Sequence, residues 1–160
     1  MITQDQLKDL LVYDSETGLF RWNRSYGKVT KGRVAGWFSE SYVFIRLNSR
    51  RYRAHVLAWL YEYGEYPKGE LDHIDQNRSN NRIANLRLAS KAQNQWNVGI
   101  SEVNSSGHKN IAYDRNRRSW HVGIRCKGRK IQRRVESLEL AELVAFEMRR
   151  LYHGEFACHV

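Results

Sequence analysis

At 160 residues the chain has room for one compact domain or two small ones, which excludes a large multidomain enzyme. Hydrophobic residues at 41% and aromatic residues at 12% are enough to build a core, so composition excludes a disordered chain. The 27 Lys and Arg outnumber the 17 Asp and Glu, and the formal charge of +10 makes a polyanion the first class of partner to consider. Cys126 and Cys158 form no Cys-x-x-Cys pair, which argues against a zinc ribbon and a disulfide scaffold and points to a reducing compartment. The first residues are polar and acidic where a signal peptide is basic and then apolar, and no apolar run approaches the ~20 residues of a membrane span. The expectation is an intracellular, soluble protein.

Thr3 followed by Gln6 reads as a capping box before Leu7, Leu10 and Leu11, predicting a short helix that ends near Tyr13. Asp14 to Gly18 is turn chemistry. The aromatic and β-branched runs at 19–22 and 42–47, with Asn48-Ser49 turning into 51–53, predict a small sheet with a hairpin. A basic loop from Arg24 to Arg33 lies between the two runs, and Trp37 is left unassigned. Residues 54–63 are apolar on most of a helical circumference and stop at Gly64, ahead of the one proline, Pro67, as a buried helix does.

A short extended run at 69–73, a polar loop at 75–81 and a second extended run at 82–89 follow. Ser90 and Gln93 then open a helix that ends before Gly99, with Asn94 in its first turn. Residues 100–108 are small and polar, as a linker is. Beyond them, apolar residues alternate with polar ones around Ile111, Trp120 to Cys126, and Ile131 to Val135, which predicts three antiparallel strands. Ser137 caps a last helix whose Leu138, Ala141, Val144, Ala145, Met148 and Tyr152 make one apolar stripe to cover one sheet face. From Lys109 to Arg134 there are ten basic residues and one acid, Asp114, so the other face is expected to be cationic.

Hydrolysis of a phosphodiester needs a base for water, a hard cation for the leaving oxygen and a frame that aligns them. The strand, loop, strand, helix order between 69 and 98 supplies candidates for each. His73 is the candidate base, and Asn85 on the returning run is placed to accept from its other ring nitrogen and fix the tautomer. Asp72 and Asn94 offer oxygen ligands suited to one Mg²⁺ or Mn²⁺ rather than zinc. Adjacent strand residues point to opposite faces, so Asp72 and His73 share a site only if the strand breaks there; Asp75, in step with His73, is the substitute ligand. His55, opening the buried helix beside Trp59, is read as packing or backbone hydrogen bonding, and Asn80 and Asn81 as shaping the loop.

The residues Arg53-x-His55-x-Leu57-x-Trp59, Gly64-x-x-Pro67, Asp72-His73-Ile74-Asp75, Asn80 to Arg87 and Gln93-Asn94-x-x-Asn97 together resemble the phage-type HNH homing endonucleases. The resemblance implies a ββα-metal fold in which His73 activates water, Asn85 orients it, and Asp72 with Asn94 holds one divalent metal. Many members have histidine where this chain has Asn94. The stretches 107–113, 120–125 and 137–157 are similar to the APETALA-type DNA-binding domain, in which a three-stranded sheet enters the major groove and a helix packs behind it. By strand parity that implies groove-facing Asn110, Ala112, His121, Gly123, Arg125, Lys130, Gln132 and Arg134. Lys109, Arg82 and Arg87 are added as DNA contacts.

The expected architecture is α+β: an N-terminal small sheet plus the ββα-metal motif, then a three-stranded antiparallel sheet packed on one C-terminal helix. The expected domains are a nuclease at 1–99 with its core at about 70–98, a linker at 100–108 and a DNA-binding domain at 109–160. The expected function is that of a DNA endonuclease acting on duplex DNA, as a monomer, in the cytoplasm of a phage-infected host. A nonenzymatic DNA-binding regulator with a decayed site is the alternative, and an RNA-binding basic protein a third reading.

Overall fold

The structure is a computed structural model and describes residues 1–25, 27–102, 104 and 106–159. Tyr26 of the basic loop, Val103 and Ser105 of the linker, and Val160 at the end of the last domain lie outside the described residues. The fold is mixed α/β, with small antiparallel sheets and four α-helices among the described residues. It divides into two compact units, 1–91 and 92–160.

In the first unit, helix α1 (Gln4–Leu10) begins with the expected capping box: Gln6 N donates to Thr3 Oγ1 at 3.3 Å and Thr3 N donates to Gln6 Oε1 at 3.1 Å. The helix stops three residues earlier than expected. At Leu11 the apolar period changes from helical to alternating, Leu11 and Tyr13 facing in and Val12 out, and strand β1 (Leu11–Asp14) pairs with β2 (Leu19–Trp22). Asp14 Oδ1 accepts from the N–H groups of Glu16 and Thr17, and Gly18 closes the turn at φ 72°.

Strands β3 (Trp37–Ser39), β4 (Tyr42–Leu47) and β5 (Arg50–Arg53) form a sheet in that order. Asn48 and Ser49 both take positive φ, 47° and 62°, the twist a two-residue hairpin demands. Trp37, opposite Phe44 on a three-residue edge strand, has too short a run to show a period. Helix α2 (Ala54–Tyr63) buries Leu57, Ala58 and Leu60 against this sheet and α1, and ends on left-handed Gly64 as the sequence predicts. Strands β6 (Glu70–His73) and β7 (Leu86–Ala89) pair antiparallel, and a 3-10 turn at Ile83–Asn85 precedes β7. Helix α3 (Lys91–Trp96) follows, and all but its first residue counts with the second unit.

The second unit carries strands β8 (Ile111–Asp114), β9 (Ser119–Cys126) and β10 (Arg129–Val135), with β9 central. Helix α4 (Leu138–His153), capped by Ser137, packs Ala141, Ala145 and Met148 on Ile111, Val122 and Ile124. Small residues on α4 allow close approach to the β-branched side chains of the sheet. No helix among the described residues is long and apolar enough to cross a membrane.

Gly18 fastens the first hairpin to the loop between β6 and β7. A Cβ there would lie 2.5 Å from Arg82 N and 2.6 Å from Asn81 C, at a backbone angle L side chains rarely adopt. Gly18→Ala is expected to cost at least about 1 kcal/mol from the backbone angle alone, more with the clash, read as a lower urea midpoint at unchanged slope.

Candidate active site

His73 ends β6 and is 5% exposed. The imidazole is out of water, so each ring nitrogen needs a defined role. Asn81 settles one of them. Its Nδ2 donates to Ser79 O at 3.1 Å, which turns its Oδ1 toward His73 Nε2 at 3.2 Å. An amide oxygen only accepts, so Nε2 carries the proton and Nδ1 the lone pair. Burial lowers the His73 pKa, while the Asn81 hydrogen bond and the charges of Asp75 and Asp72 partly restore it.

Asn81 is itself held. Its backbone oxygen accepts from the Tyr13 hydroxyl at 2.6 Å, and Gly18 lies against its backbone. Burial first, and the charge of Glu62 next, raise the pKa of that hydroxyl, so it stays a donor. A chain of contacts thus runs from the β1–β2 hairpin through Asn81 to the ring.

Asn85 has a different task from the one expected of it. It lies in the 3-10 turn, not on the strand, and its hydrogen bonds go to the loop: Nδ2 donates to Asp75 Oδ1 at 2.9 Å and to Asn80 O at 2.8 Å, and Oδ1 accepts from Asp75 N at 3.1 Å. Asn85 therefore braces the loop, and Asn81 meets the imidazole. Asp75, the substitute ligand, also accepts from Asn77 N at 2.8 Å and Asn80 Nδ2 at 2.6 Å. Burial raises its pKa, but these hydrogen bonds outweigh burial and hold it below the usual carboxylate value. Its oxygens serve the loop.

Asp72 is 4% exposed and opposite Arg87 in the ladder, and its Oδ2 accepts from Arg87 Nε and Nη2, both at 2.8 Å. Arg87, expected on DNA, is a partner of this carboxylate; removing one side of so buried a pair costs about 3–5 kcal/mol. Strand pairing continues through both Asp72 and His73, so the strand does not break where a shared site was expected to need it. The Asp72 charge nevertheless reaches the His73 ring. Arg82 is exposed. Asn94 lies on α3, in the second unit.

His55 packs, as expected, and it does so against the candidate base. It is 4% exposed, its ring meets that of His73 edge-on at 5.0 Å, and its Nδ1 has no partner among the described residues. The Tyr42 ring is 5.3 Å from it. The Arg53-x-His55 motif was the available signal; nothing local marks Tyr13 or Tyr42.

In the second unit, Arg125, Lys130, Gln132 and Arg134 are exposed, and the register sets Arg125 beside Lys130, Gly123 beside Gln132, and His121 between Ala112 and Arg134. Two expected contacts do not join this face. The Lys109 ammonium donates to the carbonyls of Trp96 and Val98 at the end of α3, where the helix dipole favours a cation. The Asn110 side-chain oxygen is buried without a partner among the described residues.

Residues 52–96 match a protein family described as HNH endonuclease. "Protein 3.8" of Escherichia phage T7 is 37% identical to the chain over 108 residues, covering 66% of this chain and 88% of that relative. No solved structure matches.

Burial, followed by the charges of His73 and Arg53, drives the His55 pKa from 6.5 to about 3. Between those values the unfolded chain binds a proton that the folded one refuses. Stability from this group is therefore complete above about pH 6.5 and lost as pH falls toward 3, at about 1.4 kcal/mol per unit. Denaturant melts at pH 6.5 and 4.5 are expected to show a fall about 2 kcal/mol smaller in His55→Gln than in the unaltered protein.

Proposed function

The chain belongs to the family of the phage T7 relative and carries an HNH endonuclease domain at residues 52–96, and we propose that it is a metal-dependent DNA endonuclease of the phage homing type. The observation that carries this reading is the buried His73, whose Nε2 is held by Asn81 Oδ1, which leaves the lone pair of the neutral ring on Nδ1.

In the proposed reaction His73 Nδ1 takes a proton from water as the water oxygen attacks phosphorus. Asn81 keeps the imidazole in the right tautomer, and Asn85 holds the loop that carries Asn81. The bond to the leaving sugar oxygen then breaks, and a proton from solvent completes that hydroxyl. Asp72 and Asn94 are the proposed oxygen ligands; a bound Mg²⁺ or Mn²⁺ would supply positive charge to the phosphate and leaving oxygen. Asp72 is shared with Arg87, so metal binding there competes with an ion pair.

The proposed domains are a nuclease at 1–99, with its ββα-metal core at about 70–98, a linker at 100–108 and an APETALA-type DNA-binding domain at 109–160. Arg125, Lys130, Gln132, Arg134 and His121 are its proposed contacts to duplex DNA. Arg82 adds a phosphate contact from the first domain. The proposed setting is the host cytoplasm, and the proposed working form a monomer. The Arg87 pairing favours a second reading, a DNA-binding regulator whose carboxylate is already neutralised.

Nicking of supercoiled plasmid with Mg²⁺ separates the two readings. On the nuclease reading EDTA abolishes cutting, and His73→Ala lowers the rate by about 10²–10⁴-fold while DNA retention survives. Asn81→Ala is expected to slow cutting without weakening retention. Full cutting by His73→Ala would refute the assignment of the base, and retention with no cutting by the unaltered protein would favour the regulator.

Salt reports on the basic sheet. With six or more cations on phosphates, affinity falls about a thousandfold or more between ~50 and ~200 mM salt. Arg125→Ala is expected to cost about 1–3 kcal/mol and relax preference at one base position in a selection assay; a uniform loss across sequences would make it a phosphate contact.

A further inference from the structure

Two arginines outside the residues assigned above meet on one aromatic ring next to His73. The Arg53 guanidinium carbon is 4.7 Å from the Tyr42 ring centroid and the Arg78 one is 5.0 Å from it. That ring is 5.3 Å from His55 and 6.3 Å from His73. Both arginines are exposed, and neither has a carboxylate partner among the described residues. The acids beside His73 have partners elsewhere, Asp72 in Arg87 and Asp75 in Asn77, Asn80 and Asn85.

Two like charges on one ring lie within about one Debye length, ~10 Å, and repel each other until an anion joins them. The backbone at the same place points the same way. Arg53 is the N-cap of α2, a ten-residue helix whose start has no side-chain cap and no acid in its first turn. Neither a side-chain cap nor an acid of its own first turn offsets the positive end of its dipole. His55, in that same turn, keeps a buried ring nitrogen without a hydrogen-bond partner among the described residues. Guanidinium forks beside a helix start that lacks a side-chain cap suit a tetrahedral oxyanion.

Resting on the nuclease reading, we propose that Arg53 and Arg78, stacked on Tyr42 at the start of α2, clamp the scissile phosphodiester against His73. Their N–H groups bond its non-bridging oxygens and stabilise the charge that gathers there as water attacks. Tyr42 acts as a positioning residue that holds both forks.

Two measurements on the full chain test this. In plasmid nicking with Mg²⁺, Arg53→Gln and Arg78→Gln are each expected to lower kcat about 10–100-fold with KM within threefold, and Lys at either position to recover part of the loss. In an NMR titration with inorganic phosphate at constant ionic strength, the backbone N–H signals of His55 and Val56 and the Nε–H signals of both arginines are expected to shift saturably. The backbone shifts are expected to vanish in the double Gln variant. Cutting at the unaltered rate by both variants, a loss confined to KM, or backbone shifts that persist in the double variant would overturn the clamp. An unaltered protein that gives the phosphate shifts but never nicks would overturn the nuclease reading and leave the anion site standing.

Discussion

The structure turns on a single hydrogen bond, from His73 Nε2 to Asn81 Oδ1. An imidazole removed from water is useful as a base only if one nitrogen is satisfied and the other is left basic. Asn81 provides that asymmetry because its own amide is oriented by Ser79 O. The Tyr13 hydroxyl and the absent side chain of Gly18 then fix where Asn81 sits. The β1–β2 hairpin therefore supports the candidate site through the backbone of Asn81 and Arg82. A bond worth about 1 kcal/mol in stability decides which face of a ring can take a proton.

Asn85 and Asp75 act on the same loop from inside it. The two side chains bond each other, the Asp75 N–H and the Asn80 carbonyl, so the turn between β6 and β7 is closed by side chains where a ladder cannot reach. The mid-motif asparagine matters here for the path of the chain. This division of labour between two asparagines four residues apart lets the loop be rigid and the imidazole correctly oriented at once.

Local chemistry made much of the fold legible. Thr3 and Gln6, Asn48-Ser49, Gly64, and the alternation from 111 to 135 each act within a few residues, and each element stands where its signal is. The end of α1 is not legible in the sequence because Leu11 fits a helical stripe and an alternating strand alike, and only pairing with β2 decides between them. The site was legible in its residue types and less so in its contacts. Asn81 rather than Asn85 reaches the imidazole because the loop, through Gln76 at φ 65° and the 3-10 turn, follows a path set by residues more than sixty positions away. Asp72 meets Arg87 because of a register across a long loop, which no short motif specifies. Lys109 looked like one of ten equivalent cations until the end of α3 claimed its ammonium.

The fastening of residues 13 and 18 to residues 81 and 82 also bears on how such a protein can be rearranged in evolution. In this chain the segment 52–96, which matches the HNH endonuclease family, leans on contacts from residues 13 and 18. Grafted elsewhere without its leading hairpin, it would carry His73, Asn81 and Asn85 and lose the floor beneath one loop. Recombination inside this span is expected to be tolerated only where both halves are inherited together.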